Sequence, residues 1–394
     1  MLDSVYLDHN ATTQIADEVK CKIVEALDIW ANPSSSGDAG KAAKATIEMA
    51  REQVGALVKA TTTDVIFTSG GTEANNWIIK SSVCKFVNDG RNQNRQSSRP
   101  HIVTSEIEHP SILLPLQHLK ETFQCDVTFV PVDRVTGAVV PAAVVDAIRP
   151  ETCLVTIMTA NNETGVIQPV RQVARAVKRL HPDVIFHTDA AQILGKMSID
   201  INELEVDYLT VVGHKFHGPR IGALISTGNR ITELQPLFFG GGQERNLRPG
   251  TENTPMIAGL GAAAQLITEK GTSTENRLRE LRDYFEAQLK EHFNHDHIRI
   301  HFEKSDRLPN TSNIAFPRLT CSSTEFLKDC QAVFCASTGA ACHSGMSASP
   351  ILLKHGISED LASKSIRFSA GKGTTTQQLD RVIEYLCKTV GNSS

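Results

Sequence analysis

Short apolar runs rich in β-branched residues recur along the first 212 residues of the chain, and helix-period stretches separate most of them. Two of the intervening stretches, 141–148 and 170–180, space their apolar residues as amphipathic helices do. Strands that alternate with helices predict an α/β protein with a mostly parallel sheet covered by helices on both faces. The predicted strands are 65–67, 101–103, 127–130, 154–158, 184–186 and 208–212.

The length and the change of pattern along the chain suggest two unequal domains. The chain has 394 residues, 40% hydrophobic and 21% charged, which is enough for a large α/β domain with a smaller one beside it. After about residue 262 the pattern changes, and a long charged helix is predicted over 273–293. We therefore expect a large domain over 15–262 and a smaller one formed by 1–14 and 263–394. The polar stretch 88–99 is predicted to be a surface loop.

The charges and cysteines argue against several classes of partner. Forty basic and 44 acidic residues give a formal net charge of −4, and no long basic run stands out, so a nucleic-acid partner is not expected. No apolar stretch approaches the ~18 residues of a membrane span, and the first residues lack a signal-peptide pattern. We expect a cytoplasmic protein without a membrane partner. Nine cysteines without a Cys-x-x-Cys pair argue against a disulfide framework or a zinc knuckle.

Two of the predicted strands are followed by groups of opposite charge. Asp189 comes after the strand at 184–186, and Lys215 comes after the strand at 208–212 in a Gly-His-Lys turn. In an α/β sheet the ends of adjacent strands face one crevice. A lysine can form a Schiff base with pyridoxal phosphate, and a carboxylate can keep the pyridine nitrogen protonated. The pair therefore predicts this cofactor.

Two glycine-rich stretches could bind an anion. Gly71 and Thr72 follow the strand at 65–67 and open a predicted helix, whose N-terminal N–H groups would suit a phosphate. The alternative is an ordinary glycine turn with a threonine near the N-cap. The stretch 239–253, which contains Thr251, is either a mobile loop or a source of anion-binding groups, and a loop of this kind can belong to a neighbouring subunit.

Further polar residues come after other predicted strands or lie within one. His109 could stack on a pyridine ring and move protons, or it could be a structural histidine. Asn162 lies in a predicted turn and could donate to a substrate carboxylate, and Gln192 could reach an oxygen on the cofactor ring. Arg367, in a predicted strand, could bind a substrate carboxylate through two parallel hydrogen bonds or could be a surface charge.

Cys342 differs from the other cysteines because a run of small residues, 337–345, surrounds it. Small neighbours leave a thiol accessible, and a reactive cysteine needs exposure and a lowered pKa. The alternative is a buried free thiol, which is what we expect for the other eight cysteines.

In this order along the chain, the motifs resemble those of the class V aminotransferase-like family of cysteine desulfurases and selenocysteine lyases. The resemblance rests on segments 6–13, 32–35, 69–73, 161–165, 187–192, 213–215 and 248–251 and on Cys342. The longer runs 212–224, 242–261 and 341–344 are most similar to the selenocysteine lyase branch. The resemblance implies a type I pyridoxal-phosphate fold, like that of aspartate aminotransferase, and a homodimer with two sites at its interface.

The resemblance also implies a role for each matching residue. Lys215, Cys342 and His109 would be catalytic. The cofactor would be bound by Gly71, Thr72, His109, Asp189, Gln192, His214, Lys215 and, from the second subunit, Thr251. The substrate carboxylate would be bound by Asn162 and Arg367. No metal is implied.

The activity implied by the resemblance is conversion of L-selenocysteine to L-alanine and a reduced selenium species, which an acceptor protein could take up. A cysteine desulfurase that forms a persulfide on Cys342 is one alternative, and a catalytically inert scaffold is another. Two positions depart from the family pattern. Val212 stands where desulfurases usually carry serine, a change that selenocysteine lyases share. Pro110 follows His109 where lyases tend to have an acidic residue, which leaves the degree of selectivity for selenium over sulfur open.

Overall fold

The structure, a computed structural model, describes residues 4–92, 98–122, 124–228, 230–294, 296–339 and 348–390. Its strands are β1 (Val5–Tyr6), β2 (Val65–Thr68), β3 (His101–Ser105), β4 (Asp126–Val130), β5 (Thr152–Thr156), β6 (Ile185–Asp189), β7 (Tyr208–Val212), β8 (Gly222–Ser226), β9 (Arg299–Ile300), β10 (Thr311–Ala315), β11 (Phe334–Cys335) and β12 (Ser365–Ser369). Its α-helices are α1 (Asp17–Leu27), α2 (Asp38–Val58), α3 (Gly71–Asn92), α4 (Pro110–Glu121), α5 (Pro141–Asp146), α6 (Val170–Leu180), α7 (Ile201–Leu204), α8 (Thr254–Lys270), α9 (Ser273–His292), α10 (Ser323–Cys330), α11 (Pro350–Lys354), α12 (Glu359–Ser363) and α13 (Thr376–Thr389).

The larger sheet is mostly parallel, in the strand order β2-β8-β7-β6-β5-β3-β4. Strands β4, β3, β5, β6 and β7 run parallel, whereas β8 pairs antiparallel with both β7 and β2. Strands β3, β5, β6 and β7 are buried along their whole length, as expected when helices cover both faces.

Alternate residues of each central strand pack into two different cores. Val155 and Leu209 point into a core that also contains Val54 of α2 and Leu260 of α8. Their neighbours Leu154 and Tyr208 point to the opposite face, where Trp77 of α3 and Leu116 of α4 form a second core. This period of two is the geometry of a strand with both faces buried, and it fixes which side chains reach the α3 side of the sheet.

A second, smaller sheet lies in the C-terminal part of the chain, in the antiparallel order β12-β10-β9. Its core is formed by side chains of α9 and α13, among them Phe285 and Leu386, packed against Phe368 of β12. Val5 and Leu7 belong to the same core, and β1 pairs with β11. The N-terminal segment therefore starts in the smaller unit and runs from there towards the larger sheet.

The predicted elements and the structure differ in a few places. Strand β5 spans 152–156 rather than 154–158, because the backbone N–H of Met158 donates to the Glu108 carboxylate instead of continuing the sheet. Asp189 is the last residue of β6 rather than a residue after it. The predicted loop 88–99 is helical as far as Asn92, where the ion pair between Lys85 and Asp89 supports the end of α3. Strand β8 is an element that the sequence analysis did not predict.

The predicted boundary between residues 262 and 263 falls inside α8, which continues as one helix to Lys270. The residues of α8 up to Ala264 pack into the core of the larger sheet. The division into two domains stays a prediction. In the described part of the chain, no helix combines the length and the apolar character needed to cross a membrane.

A buried ion pair connects the glycine-rich stretch 239–253 to α2, beside the edge strand β2 of the larger sheet. Arg51 of α2 donates to both carboxylate oxygens of Glu244, at 2.9 and 2.6 Å. Glu244 also accepts from the backbone N–H of Phe67 at 3.0 Å. Arg51 makes a second ion pair with Glu48, at 3.2 Å, but half of the Glu48 side chain is exposed. Both side chains are buried only in the pair with Glu244. We therefore expect loss of this pair to lower the free energy of unfolding more than loss of the pair with Glu48.

Replacing Glu244 by glutamine is expected to lower the free energy of unfolding by about 3 kcal/mol, because Arg51 loses its buried counter-charge and keeps only the half-exposed Glu48. The matched control is Glu48→Gln, which removes the exposed partner of the same arginine and should cost less than about 1 kcal/mol. Urea denaturation of the three proteins measures both values. Equal decreases in the free energy of unfolding of Glu244→Gln and Glu48→Gln would contradict the larger contribution assigned to the pair of Arg51 with Glu244.

Candidate functional site

A cavity of about 190 Å³ opens at the carboxyl ends of β5, β6 and β7, against the first turn of α3. This is the edge of a parallel sheet where ligands bind in open α/β folds. The predicted site residues that line the cavity are Gly71, Thr72, His109, Asn162, Asp189, Gln192, His214 and Lys215. The structure therefore brings together eight residues that are spread over 145 positions of the chain, from 71 to 215.

One end of the cavity is built from the N-terminus of α3. A Cβ atom on Gly71 would lie 2.6 Å from Cγ2 of Val212, so this position requires a glycine. Thr72 follows with its side chain exposed to the cavity. The N-terminus of a long helix offers N–H groups to an anion. This end of the cavity is thus suited to a phosphate, as the sequence predicts.

Lys215 and His214 lie in a 3-10 turn, Gly213–Lys215, directly after β7. The ammonium group of Lys215 donates to the backbone carbonyls of Asn10 and Ala11, at 2.7 and 2.8 Å. Burial and, to a smaller extent, the nearby charges of Lys215 and Arg220 lower the pKa of His214 to about 4. His214 is therefore neutral at pH 7 and can donate or accept one hydrogen bond at the cavity wall.

Asp189 lies at the opposite side of the cavity and is buried. Its Oδ1 accepts from the backbone N–H of Ala191 at 2.9 Å, and its Oδ2 accepts from the side-chain amide of Asn75 at 2.7 Å. Hydrogen bonds of this kind to a carboxylate are charge-assisted and strong. Asp189 is thereby fixed in one orientation. The sequence patterns assign no role to Asn75.

His109 is the N-cap residue of α4, and its ring faces the cavity. Its Nδ1 accepts from the backbone N–H of Ser111 at 3.1 Å and lies 2.7 Å from the Ser111 hydroxyl. Burial lowers the pKa of His109, and the Lys215 charge lowers it too, although Asp189 acts in the opposite direction. The ring is therefore neutral, with its proton on Nε2.

Gln192 is held by a second lysine that the sequence analysis missed. Lys196 is buried and donates to the backbone carbonyl and to Oε1 of Gln192, both at 2.8 Å. Burial, followed by the charges of Lys215 and Arg367, holds the pKa of Lys196 well below its ordinary value. With Oε1 bound to Lys196, the Nε2 of Gln192 donates to the carbonyl of Asn10 at 3.1 Å. The amide of Gln192 is thus oriented before any ligand binds.

Arg367 lines a second cavity of about 400 Å³ that shares His109, Asn162, Gln192 and Lys215 with the first. Its guanidinium donates to the backbone carbonyl of Asn162 at 2.8 Å and pairs with the carboxylate of Asp8. Its Nε is buried and has no hydrogen-bond partner among the described residues. Because Arg367 lines the second cavity, its guanidinium is suited to an acceptor on a bound ligand.

The structure does not test the roles predicted for two of the site residues, Thr251 and Cys342. Thr251 is exposed and, within the described residues of one chain, does not line it. Its neighbour Arg248 approaches α3 and donates to Glu73 at 2.8 Å. The role predicted for Thr251 in a second subunit stays a prediction. Cys342 lies in 340–347, outside the described residues.

The chain belongs to the class V aminotransferase family, whose family model matches residues 5–382. It is 47% identical to the selenocysteine lyase of Bos taurus over 407 aligned positions, which cover 98% of this chain and 93% of the relative. It is 37% identical to the cysteine desulfurase IscS of Dictyoglomus turgidum, with 98% and 94% coverage. Among solved structures, a NifS-like protein superposes with a TM-score of 0.87 at 30% identity, with 98% and 99% coverage. The predicted family and fold class are confirmed.

Glu108, next to His109, is a buried carboxyl group that the sequence analysis did not single out. It accepts from the Ser105 hydroxyl at 2.5 Å and from the backbone N–H of Met158 at 3.0 Å. Burial and, to a smaller extent, the charge of Asp189 raise the pKa of Glu108 to about 8, although the hydrogen bonds from Ser105 and Met158 act in the opposite direction. At neutral pH the folded protein therefore keeps a proton on Glu108 that the unfolded chain has lost.

Between the ordinary carboxyl pKa and about 8, this bound proton is expected to make the protein less stable as the pH rises. The contribution is at most about 1.4 kcal/mol per pH unit. Glu108→Gln should remove this pH-dependent contribution, so its free energy of unfolding should fall less steeply with rising pH than that of the unmodified protein. Denaturation of cofactor-free protein from pH 5 to pH 9 measures the slope. Glu106→Gln is the control, and parallel curves for Glu108→Gln and the unmodified protein would refute the assignment.

Proposed function

We propose that the protein is a pyridoxal-phosphate-dependent selenocysteine lyase, which converts L-selenocysteine to L-alanine and a reduced selenium species. The observation that carries the proposal is the pairing of Asp189 with Lys215 across one cavity beside the N-terminus of α3. The similarity to the bovine selenocysteine lyase over nearly the whole chain supports the choice of substrate. A cytoplasmic location stays a prediction.

The chemistry of the cavity fits the proposed cofactor. The anion-binding end at Gly71 and Thr72 would hold the phosphate together with His214, and the buried Asp189 would face the ring nitrogen. Gln192 would donate to the ring oxygen, because Lys196 has already oriented its amide. Bound pyridoxal phosphate would be linked to Lys215 and would supply a protonated ring that can accept electrons from the substrate Cα.

The side chains around the cavity would move the protons of the reaction. The neutral amine of Lys215 would take the proton from the substrate Cα, and the carbonyls of Asn10 and Ala11 lie within hydrogen-bond distance of its Nζ. Asp189 would keep the ring nitrogen protonated. His109, neutral and fixed through Nδ1, would cover one face of the ring with its Nε2 proton available.

Arg367 and Asn162 would position the substrate carboxylate. Arg367, Asn162 and Lys215 all line the second cavity. The ion pair with Asp8 holds the guanidinium plane, so little side-chain entropy is lost when the carboxylate binds. The substrate Cα would then lie between Arg367 and Lys215.

Cys342 would act on the selenium atom, as a nucleophile or as a proton donor. Its proposed role rests on the sequence resemblance, since the residue lies outside the described part of the chain. To leave alanine, the electrons of the C–Se bond would stay on the substrate Cβ, which takes up a proton, while selenium would pass to a thiolate such as that of Cys342. A selenol is more acidic than a thiol, whose pKa is ~8.5, so selenium would be transferred from an already ionised group with less help than sulfur. Cysteine desulfurase is the alternative function, supported by 37% identity to a desulfurase. Both activities would use the same residues around the cofactor.

A comparison of alanine release from selenocysteine and from cysteine distinguishes the two functions. We expect kcat/KM to be far higher for selenocysteine, with some residual activity on cysteine. Cys342→Ser should abolish the activity on cysteine, because a thiolate depends more on assistance, and should spare part of the activity on selenocysteine. The control is Cys21→Ser, which removes an exposed thiol of α1. Comparable kcat/KM values for both substrates in the unmodified protein would favour the desulfurase.

We also propose that the protein is a homodimer in which Thr251 completes the site of the second subunit. Phe239, in the glycine-rich stretch that carries Thr251, is 90% exposed, and Phe238 beside it is also exposed. Large exposed apolar side chains next to one another are characteristic of subunit contacts. A second copy of the chain would cover these side chains.

A mixture of Lys215→Ala and Thr251→Val subunits is expected to be more active than either variant alone. In a mixed dimer one site carries both substitutions, and the other keeps Lys215 from one subunit and Thr251 from its partner. The measurement is alanine release after the two variants are unfolded and refolded together, with each variant refolded alone as the control. Alanine release by the mixture that is no faster than by either variant refolded alone, or full activity in a monomer, would contradict the shared site.

A further inference from the structure

A buried chain of polar side chains runs beneath the cavity from His187 to His109. The hydroxyl of Thr156 lies 2.8 Å from His187 Nδ1, and His187 Nε2 lies 2.9 Å from the Thr210 hydroxyl. Thr210 donates to Asn75 Oδ1 at 2.8 Å. The Nδ2 of Asn75 donates to Asp189 Oδ2 at 2.7 Å and to the Ser111 hydroxyl at 2.8 Å, and that hydroxyl contacts His109.

The hydrogen-bonding capacities of these groups fix the direction of every bond in the chain. The Oδ1 of Asn75 can only accept, so the Thr210 hydroxyl must donate to it. The Thr210 oxygen then accepts from His187 Nε2. Burial lowers the pKa of His187 to about 4, so this ring is neutral and its Nδ1 accepts from Thr156. All of the protons point towards Asp189 and His109.

Asn75 is the branch point of this chain. Its two amide N–H groups reach the two side chains predicted to contact the cofactor, Asp189 directly and His109 through Ser111. A flipped amide would place its oxygen against the Asp189 carboxylate and leave the Thr210 hydroxyl facing a donor. In a fully buried network such mismatched groups are costly, and Asn75, Thr210 and His187 have no measurable exposure.

We infer that Asn75, oriented by Thr210, is a positioning residue that fixes the carboxylate of Asp189 beneath the cofactor ring and the Nε2-protonated form of His109 beside it. The inference rests on the proposed function for the identity of the cofactor. The orientation of Asp189 and His109 is a property of the protein without cofactor, because the contacts all lie within the described chain.

A pair of substitutions at Thr210 separates this role from packing. Thr210→Val keeps the shape of the side chain and removes the hydroxyl, whereas Thr210→Ser keeps the hydroxyl and removes the methyl group. The control is Thr188→Val, since Thr188 is equally buried but its hydroxyl donates to the carbonyl of Ile157, outside the network. Asn75→Leu removes the branch point itself.

Two measurements are made on each variant. The first is the ¹⁵N–¹H spectrum of the histidine rings as a function of pH in cofactor-free protein. The titration midpoint of His109 should rise in Thr210→Val and in Asn75→Leu, because a Ser111 hydroxyl that Asn75 no longer orients donates less well to Nδ1, which disfavours the neutral ring. It should match that of the unmodified protein in Thr210→Ser and in Thr188→Val.

The second measurement is the dissociation constant of pyridoxal phosphate, followed by its visible absorbance. We expect an increase of roughly tenfold in Thr210→Val and in Asn75→Leu, as for loss of a hydrogen bond to a charged group. The inference would be overturned, and Thr210 assigned to packing, if Thr210→Ser differed from the unmodified protein in either measurement while Thr210→Val matched it. A protein that binds no pyridoxal phosphate would refute the proposed function, while the histidine spectra would still test the network.

Discussion

The parallel register of β5, β6 and β7 is the constraint on which the site depends. It places Thr156 opposite His187 and Asp189 opposite Thr210, so these side chains lie on one face of the sheet. The face is the one covered by α3, and Asn75 of α3 can therefore bind groups on two strands at once. A slip of one residue in β6 would turn Asp189 to the opposite face and would leave the cavity without its carboxylate.

The N-terminal segment supplies the second constraint, because it joins the smaller sheet to the cavity. Asp8 pairs with Arg367 of β12, and the side chain of Asn10 donates to Thr311 of β10 at 2.9 Å. The backbone carbonyl of Asn10 accepts from both Lys215 and Gln192. A short stretch of backbone thus sets the distance between the proposed carboxylate-binding residue and the proposed catalytic lysine. Substitutions at Asn10 would disturb both.

Much of the site could be predicted from the sequence because its residues follow strands. Lys215, Asp189 and Asn162 each lie at or just beyond the carboxyl end of a strand, and the parallel order of those strands brings them to one edge. The position of His109 follows from the same rule through the loop after β3. Strand ends are visible as apolar runs, so this part of the geometry was accessible before the structure was known.

The supporting residues could not be predicted in the same way. Lys196 and Asn75 lie in polar positions of helical or turn segments that resemble solvent-facing residues, and their burial depends on elements far away in the chain. The partner of Arg367, Asp8, is separated from it by 359 positions. Strand β8 was missed, although it lies between β2 and β7, because its run is short and begins at a glycine. Long-range packing, rather than local pattern, determines these contacts.

The most direct test of the account is to identify the lysine that carries the cofactor. Borohydride reduction of the protein with bound pyridoxal phosphate makes the lysine linkage permanent, and mass spectrometry of the resulting peptides then locates it. Lys215 and Lys196 both lie near the cavity, but Lys196 donates to Gln192 and is buried. If Lys215 carries the cofactor, the pyridoxyl adduct will be found on Lys215 alone. An adduct on Lys196 or on a surface lysine, with Lys215 unmodified, would contradict it.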